Sequence, residues 1–322
     1  MTRRILHAAA LWLCAATAPH AEPATLRAAV LETGTVNWEL ETIRAGGLDA
    51  ANGFTLEVQG LAGNPATRIA FQAGEADFMV ADWIWVARQR AAGRDYVFLP
   101  YSKAVGALLV ANDDPALTLA DMAGRKIGIA GGPVDKSWLI LRAYARQEYG
   151  MDLAAETEQV FGAPPLIFNA ALGGELDGAI NFWHFAAKME ARGMRPLITV
   201  SDAALALGLD PDLPLLGYVF HGEMVRDHPD LVAGFAAASR AAKERMVSDP
   251  AVWEHLRPMM RVKTDADFAA LKAGYVAGIP APGPIDPDSA SRVLQVMADL
   301  GGPELVGDAS ELPEGVFVQP LN

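Results

Sequence analysis

A stretch of this chain repeats itself one hundred residues later. Gly74-Glu75-Ala76-Asp77 recurs as Gly174-Glu175-Leu176-Asp177, and Trp83, Ala87, Ala91 and Gly93 recur as Trp183, Ala187, Ala191 and Gly193, every match at a spacing of 100. Each copy reads as a helix, a Gly-Glu-x-Asp turn, a buried strand, an aromatic loop and a second helix. One period does not make a solenoid, which needs several stacked units. It fits two similar α/β lobes that face each other. A length of 322 residues allows that, at about 150 residues per domain.

The rest of the chain continues the alternation. Strands are predicted at Leu26–Leu31, Phe54–Gln59, Phe78–Ala81, Tyr96–Pro100 and Gly106–Val110, with helices between them. After the turn-rich break Asn112-Asp113-Asp114-Pro115 a second series follows, with strands at Lys126–Ala130, Gln159–Phe161, Gly178–Asn181 and Leu197–Val200. Gly208 to Pro214 is another break. From Asp230 the chain reads mainly as helices, and the tail from Pro303 is turn-rich. The expected fold class is therefore α/β, with a mixed sheet flanked by helices in each lobe.

The N-terminus has its own pattern. Arg3 and Arg4 precede an uncharged apolar run, Ile5 to Ala18, which is too short to span a bilayer and has the length of a signal-peptide core. Residues 1–21 are expected to be an export signal, cut after Ala21. Cys14, the only cysteine, lies inside that run, so the mature chain would have no disulfide, thiolate metal ligand or cysteine nucleophile. Acidic residues outnumber basic ones by 39 to 26, which argues against a nucleic-acid partner.

Ligands of open α/β sheets bind beyond the carboxyl ends of the strands. The residues expected there are Asn37 and Trp38, Asp82 and Trp83, Lys103, then Asp135, Lys136, Ser137 and Trp138, and finally Asn181, Trp183 and His184. Five of the seven tryptophans fall in or just beyond these loops, which suggests an aromatic cleft for a flat ligand. Asp135 can cap the helix that begins at Lys136. The backbone N–H groups at that helix start, with Lys136 beside them, favour an anion. Catalytic patterns are thin: His184, His221, His228 and His255 have no metal-ligand spacing, and no Gly-x-Ser-x-Gly elbow is present. Glu75/Asp77 and Glu175/Asp177 read better as turn residues than as acid–base pairs.

The leader, the paired Gly-Glu-x-Asp turns, the two lobes and the helical tail resemble periplasmic solute-binding proteins of ABC importers, in the group for nitrate, taurine, alkanesulfonates and the thiamine pyrimidine. The resemblance covers Leu26 to about Gly301. Four segments, Gly34–Glu39, Ala81–Gln89, Gly131–Trp138 and Ile180–Phe185, are similar to a narrower subfamily associated with uptake of pyrroloquinoline quinone. The resemblance implies a two-lobed type II binding-protein fold with two hinge crossovers. Lobe one would comprise residues 26–110 plus 215–322, and lobe two residues 111–214. It further implies a periplasmic monomer that is not an enzyme and works with an inner-membrane permease and ATPase. Pyrroloquinoline quinone would be cargo rather than a cofactor, and Lys136 or Trp138 would contact it. An aromatic sulfonate or a thiamine pyrimidine precursor is the alternative cargo. A pyrimidine-synthase-like enzyme shares the fold, but its cysteine-rich motif has no counterpart here.

Overall fold

The structure is a computed structural model, and it describes residues 23–318. The expected export signal at 1–21, its cleavage point, Trp12 and Cys14 lie outside the described residues.

The described strands form two five-stranded mixed sheets. The first contains β1 (Ala24–Leu31), β2 (Phe54–Leu61), β3 (Phe78–Asp82), β4 (Tyr96–Ser102) and β10 (Leu216–His221), in the order β2-β1-β3-β10-β4. The second contains β5 (Ala107–Ala111), β6 (Lys126–Ala130), β7 (Glu158–Gly162), β8 (Gly178–Ile180) and β9 (Met194–Thr199), in the order β7-β6-β8-β5-β9. The two orders match place by place. In each sheet four strands run the same way, and the strand in the fourth position, β10 or β5, runs against them. Each of those is the first strand after the chain has crossed from the other sheet, so the boundary expected after residue 110 falls before β5 instead, between Ser102 and Ala107, because β5 pairs with β8 and β9.

Helices cover both sheets. The first half supplies α1 (Val36–Ala45), α2 (Leu48–Ala51), α3 (Asn64–Gln72) and α4 (Trp83–Ala91). The second supplies α5 (Lys136–Tyr149), α6 (Leu153–Glu156), α7 (Pro164–Leu172), α8 (Trp183–Glu190) and α9 (Val200–Ala206). After β10 come α10 (Gly222–Asp227), α11 (Pro229–Ser248), α12 (Pro250–Leu256), α13 (Asp265–Ala277) and α14 (Pro287–Val306).

The repeated turn does the same work twice. Gly74 and Gly174 both take a left-handed backbone, with φ of 75° and 74°, which a side chain would strain. Asp77 Oδ2 then accepts the Arg27 N–H within β1, and Asp177 Oδ2 accepts the Lys126 N–H at the start of β6, both at 2.8 Å. Each aspartate thus pins the register of two parallel strands.

Sequence reading missed β10. Leu216–His221 is a short apolar run with a glycine, and its Tyr218, Val219 and Phe220 are the local strand signal that was passed over. Its pairing is long-range: it lies antiparallel between β3 and β4. Gly217 is required there, because a Cβ would sit 2.3 Å from the Phe98 ring. The tail also differs from expectation. α14 runs on to Val306 through a kink at Gly302, and Phe98 N–H donates to Val316 O at 2.7 Å, adding the tail beside β4.

Lobe one closes around a buried charge. Glu39 of α1 is fully buried, and its carboxylate accepts from Tyr218 of β10, Ser239 and Lys243 of α11, and Tyr275 of α13, at 2.8, 2.5, 2.9 and 2.8 Å. Burial, then the Glu39 charge, pushes both tyrosine hydroxyls well above their ordinary range, so both stay neutral donors. Removing one partner of such a pair leaves an uncompensated buried charge. Lys243→Met is expected to lower unfolding free energy by about 3–5 kcal/mol in urea titrations. Adding Glu39→Gln to it should recover part of that loss, because the stranded charge is gone.

Candidate functional site

The end of β3 in one sheet meets the start of α5, which follows β6 of the other, through a single ion pair. Asp82 ends β3 and caps α4, its Oδ1 accepting the Trp85 N–H at 2.9 Å. Asp135 caps α5 in the same way, accepting the Trp138 N–H at 3.1 Å. Lys136, the next residue, reaches across and donates to Asp82 Oδ2 at 2.9 Å. Burial pushes the Asp82 carboxyl up, but the Lys136 ammonium and the Trp85 N–H outweigh it and hold it below the usual range. For Asp135 burial wins, and its pKa rises to about 6. Arg68 adds a second cation, stacked over the Trp85 ring at 5.2 Å.

Other expected ligand residues are placed differently. The Asn37 amide donates to Leu31 O and Gly34 O at 2.7 and 2.8 Å, which shapes the β1–α1 turn. Asn181 donates to Pro164 O and accepts the Phe182 N–H, which fixes the β8–α8 turn. Lys103 pairs with Asp212, tying together the two crossovers between the sheets. Ser137 is half-buried in the first turn of α5. His184 lies beside Phe185, and burial lowers its pKa to about 4.

The aromatic cleft needs correction. Trp83 and Trp138 are 0% and 1% exposed and belong to the packed core, and Trp38 and Trp85 are also buried. An indole carries more apolar area than a loop can leave in water, so these side chains turn inward from the helix starts that bear them. Trp183 is the exception. It extends from lobe two into the aromatic cluster of lobe one, 6.1 Å edge-on from Trp38, and a Cβ on Gly274 of α13 would meet it at 2.8 Å. Further links join the lobes: Arg192, just past α8, pairs with Asp267 of α13 at 2.8 Å, and α14 packs against both α4 and α5.

Two features of the site were not foreseen. Arg68 was overlooked because its place beside Asp82 depends on α3 lying against β1 and β3. Beside the β1–α1 turn is a groove of about 420 Å³, lined by lobe-one residues that include Glu32, Trp38, Arg44, Met259 and Arg261. Among the described residues no group of His, Cys, Asp and Glu is placed to hold a metal ion.

Comparison with known proteins adds the following. The sequence profile of the family described as NMT1/THI5 like matches residues 26–252. No curated protein matches the chain. Among solved structures, the periplasmic aliphatic sulphonate binding protein SsuA from Escherichia coli is similar over 91% of this chain and 99% of its own, at 19% identity and a TM-score of 0.70. The alkanesulfonate-binding protein SsuA from Xanthomonas axonopodis pv. citri, bound to MOPS, is similar over 94% and 98%, at 18% identity and 0.66. A putative sulfonate ABC transporter protein from Methylobacillus flagellatus KT, also SsuA, is similar over 93% of each chain, at 12% identity and 0.68. These likenesses establish a shared fold.

The two unusual titrations oppose each other. A folded-state carboxyl raised to about 6 binds more protons than the unfolded one, so Asp135 lowers stability as pH rises from about 4 to 6. His184, lowered to about 4, raises stability as pH climbs from about 4 to 6.5. Asp135→Asn keeps a good helix cap and removes the first effect. Unfolding titrations across that window should therefore rise more steeply with pH for the variant than for the wild type.

Proposed function

This chain belongs to the NMT1/THI5-like family, and from that premise we propose that it is the periplasmic solute-binding component of an ABC importer. Its cargo is a small organic molecule with an acidic group, captured between the lobes. The observation that carries this reading is the meeting of two like-built lobes at their strand ends, with Lys136 of one reaching the buried Asp82 of the other. Two crossovers joined by Lys103 and Asp212 give a hinge about which such lobes can close. Closure selects the liganded state when the ligand contacts both sides. The sulfonate-binding proteins that share the fold support an acidic cargo. In this reading the chain acts as a monomer with a membrane permease and an ATPase, catalyses nothing and holds no cofactor of its own.

Pyrroloquinoline quinone is the narrower cargo implied by the resemblance of the four loop segments. The placement of the tryptophans does not add to that case, since four of the five sit in the core. A sulfonate makes smaller demands on the site: one anion for one lysine, beside the α5 N-terminus.

Capture has a measurable consequence. Thermal melting and small-angle scattering should be run on the protein with alkanesulfonates, aromatic sulfonates, an aminopyrimidine and pyrroloquinoline quinone in turn. At least one should raise the melting temperature, by about 2.7 kcal/mol of added stability at a hundredfold excess over Kd, and narrow the scattering profile. If none of them does either, solute capture is the wrong reading.

A further inference from the structure

The Asp82–Lys136 pair sets a condition on any solute that separates it. The condition rests on the solute-capture reading above and narrows it. Asp82 is buried, with a side chain 11% exposed, and its Oδ1 is already committed to the Trp85 N–H. Oδ2 is the end that faces lobe two, and it takes the Lys136 ammonium. A solute that enters between them leaves two half-pairs, each in surroundings that screen charge poorly. A buried charge deprived of its partner is strongly unfavourable.

A simple anion answers only one half. It pairs with Lys136 and leaves Asp82 Oδ2 facing a second negative charge. The neighbours do not relieve this. Asp135 brings another carboxylate to the same place, with its Oδ1 on the Trp138 N–H. Arg68 is the other cation near Asp82, but its guanidinium lies over the Trp85 ring and no hydrogen bond joins it to Asp82 among the described residues. Formally the group is balanced: Asp82 and Asp135 against Lys136 and Arg68. A tricarboxylate would upset that balance by three charges, whereas a solute of no net charge preserves it.

We infer that the solute carries both an acidic group and a nitrogen donor, an ammonium or amino group, so that the acid meets Lys136 while the donor meets Asp82. The ion pair of the closed lobes is thereby replaced on both sides by the ligand's own two ends. Its specificity is that of a site that rejects a molecule lacking the donor, because Asp82 would then remain unpaired.

Calorimetry with matched probes tests this. Homotaurine and butanesulfonate have the same chain length and the same sulfonate, and differ in an ammonium against a methyl. The wild type should prefer homotaurine on the order of ten- to a hundredfold, the scale of one hydrogen bond between charged groups. Asp82→Asn should remove most of that preference, and because asparagine also caps a helix well, far-ultraviolet circular dichroism should show the fold retained. Lys136→Gln should weaken both probes. Butanesulfonate binding as tightly as homotaurine, or Asp82→Asn retaining the preference, would overturn the inference and leave solute capture standing. Neither probe binding at millimolar concentration overturns the inference too. Solute capture falls with it only if the wider panel also leaves melting and scattering unchanged.

Discussion

A strand delivered from the far side of the molecule completes each sheet, and the rest of the architecture follows from that constraint. β10 enters lobe one only after the chain has built lobe two, and it lies between β3 and β4. It brings Tyr218 to the Glu39 carboxylate, which α11 and α13 then enclose with Ser239, Lys243 and Tyr275. Lobe one is thus assembled from both ends of the described chain around one buried charge. α1 is held from below by Glu39, so the β1–α1 turn at the cleft has a fixed base.

Two crossovers are the price of that arrangement, and Lys103 on Asp212 ties them together. The lobes touch through chemically different contacts: Trp183 in an aromatic cluster, Arg192 on Asp267, and Lys136 on Asp82. The last joins the cap of α4 to the first residue of α5. Helix N-termini favour negative charge, so Asp82 and Asp135 each suit their cap, and Lys136 offsets the carboxylate opposite. The group of Asp82, Asp135, Lys136 and Arg68 is thereby balanced in formal charge.

Much of the fold was legible because it is written locally. The Gly-Glu-x-Asp turns, the apolar strands and the α/β alternation all depend on neighbours within a few residues. The place of β10 was not, because Tyr218, Val219 and Phe220 favour a strand but do not say that it inserts between β3 and β4. Glu39 carried a signal that could have been used: it shares the buried face of α1 with Val36 and Ile43, where a charge needs a partner. The tryptophans misled because a helix-start position does not say which way an indole turns. Asp82 and Lys136 were both picked out as ligand residues, but their bond spans 54 positions and two lobes, and only three-dimensional placement reveals it.

Under the proposed function, the Asp82–Lys136 pair is one of the contacts that hold the lobes closed. The most direct measurement of this is a spin-label distance between cysteines placed at Gln72 on α3 and Asn169 on α7, in a Cys14→Ser background. Both sites are exposed and lie on equivalent helices of the two lobes. The account predicts one narrow distance distribution for the parent protein, and a broader distribution shifted to longer distance once Lys136→Met removes the contact. An unchanged distribution would mean that the lobes form a single rigid body that this pair does not control.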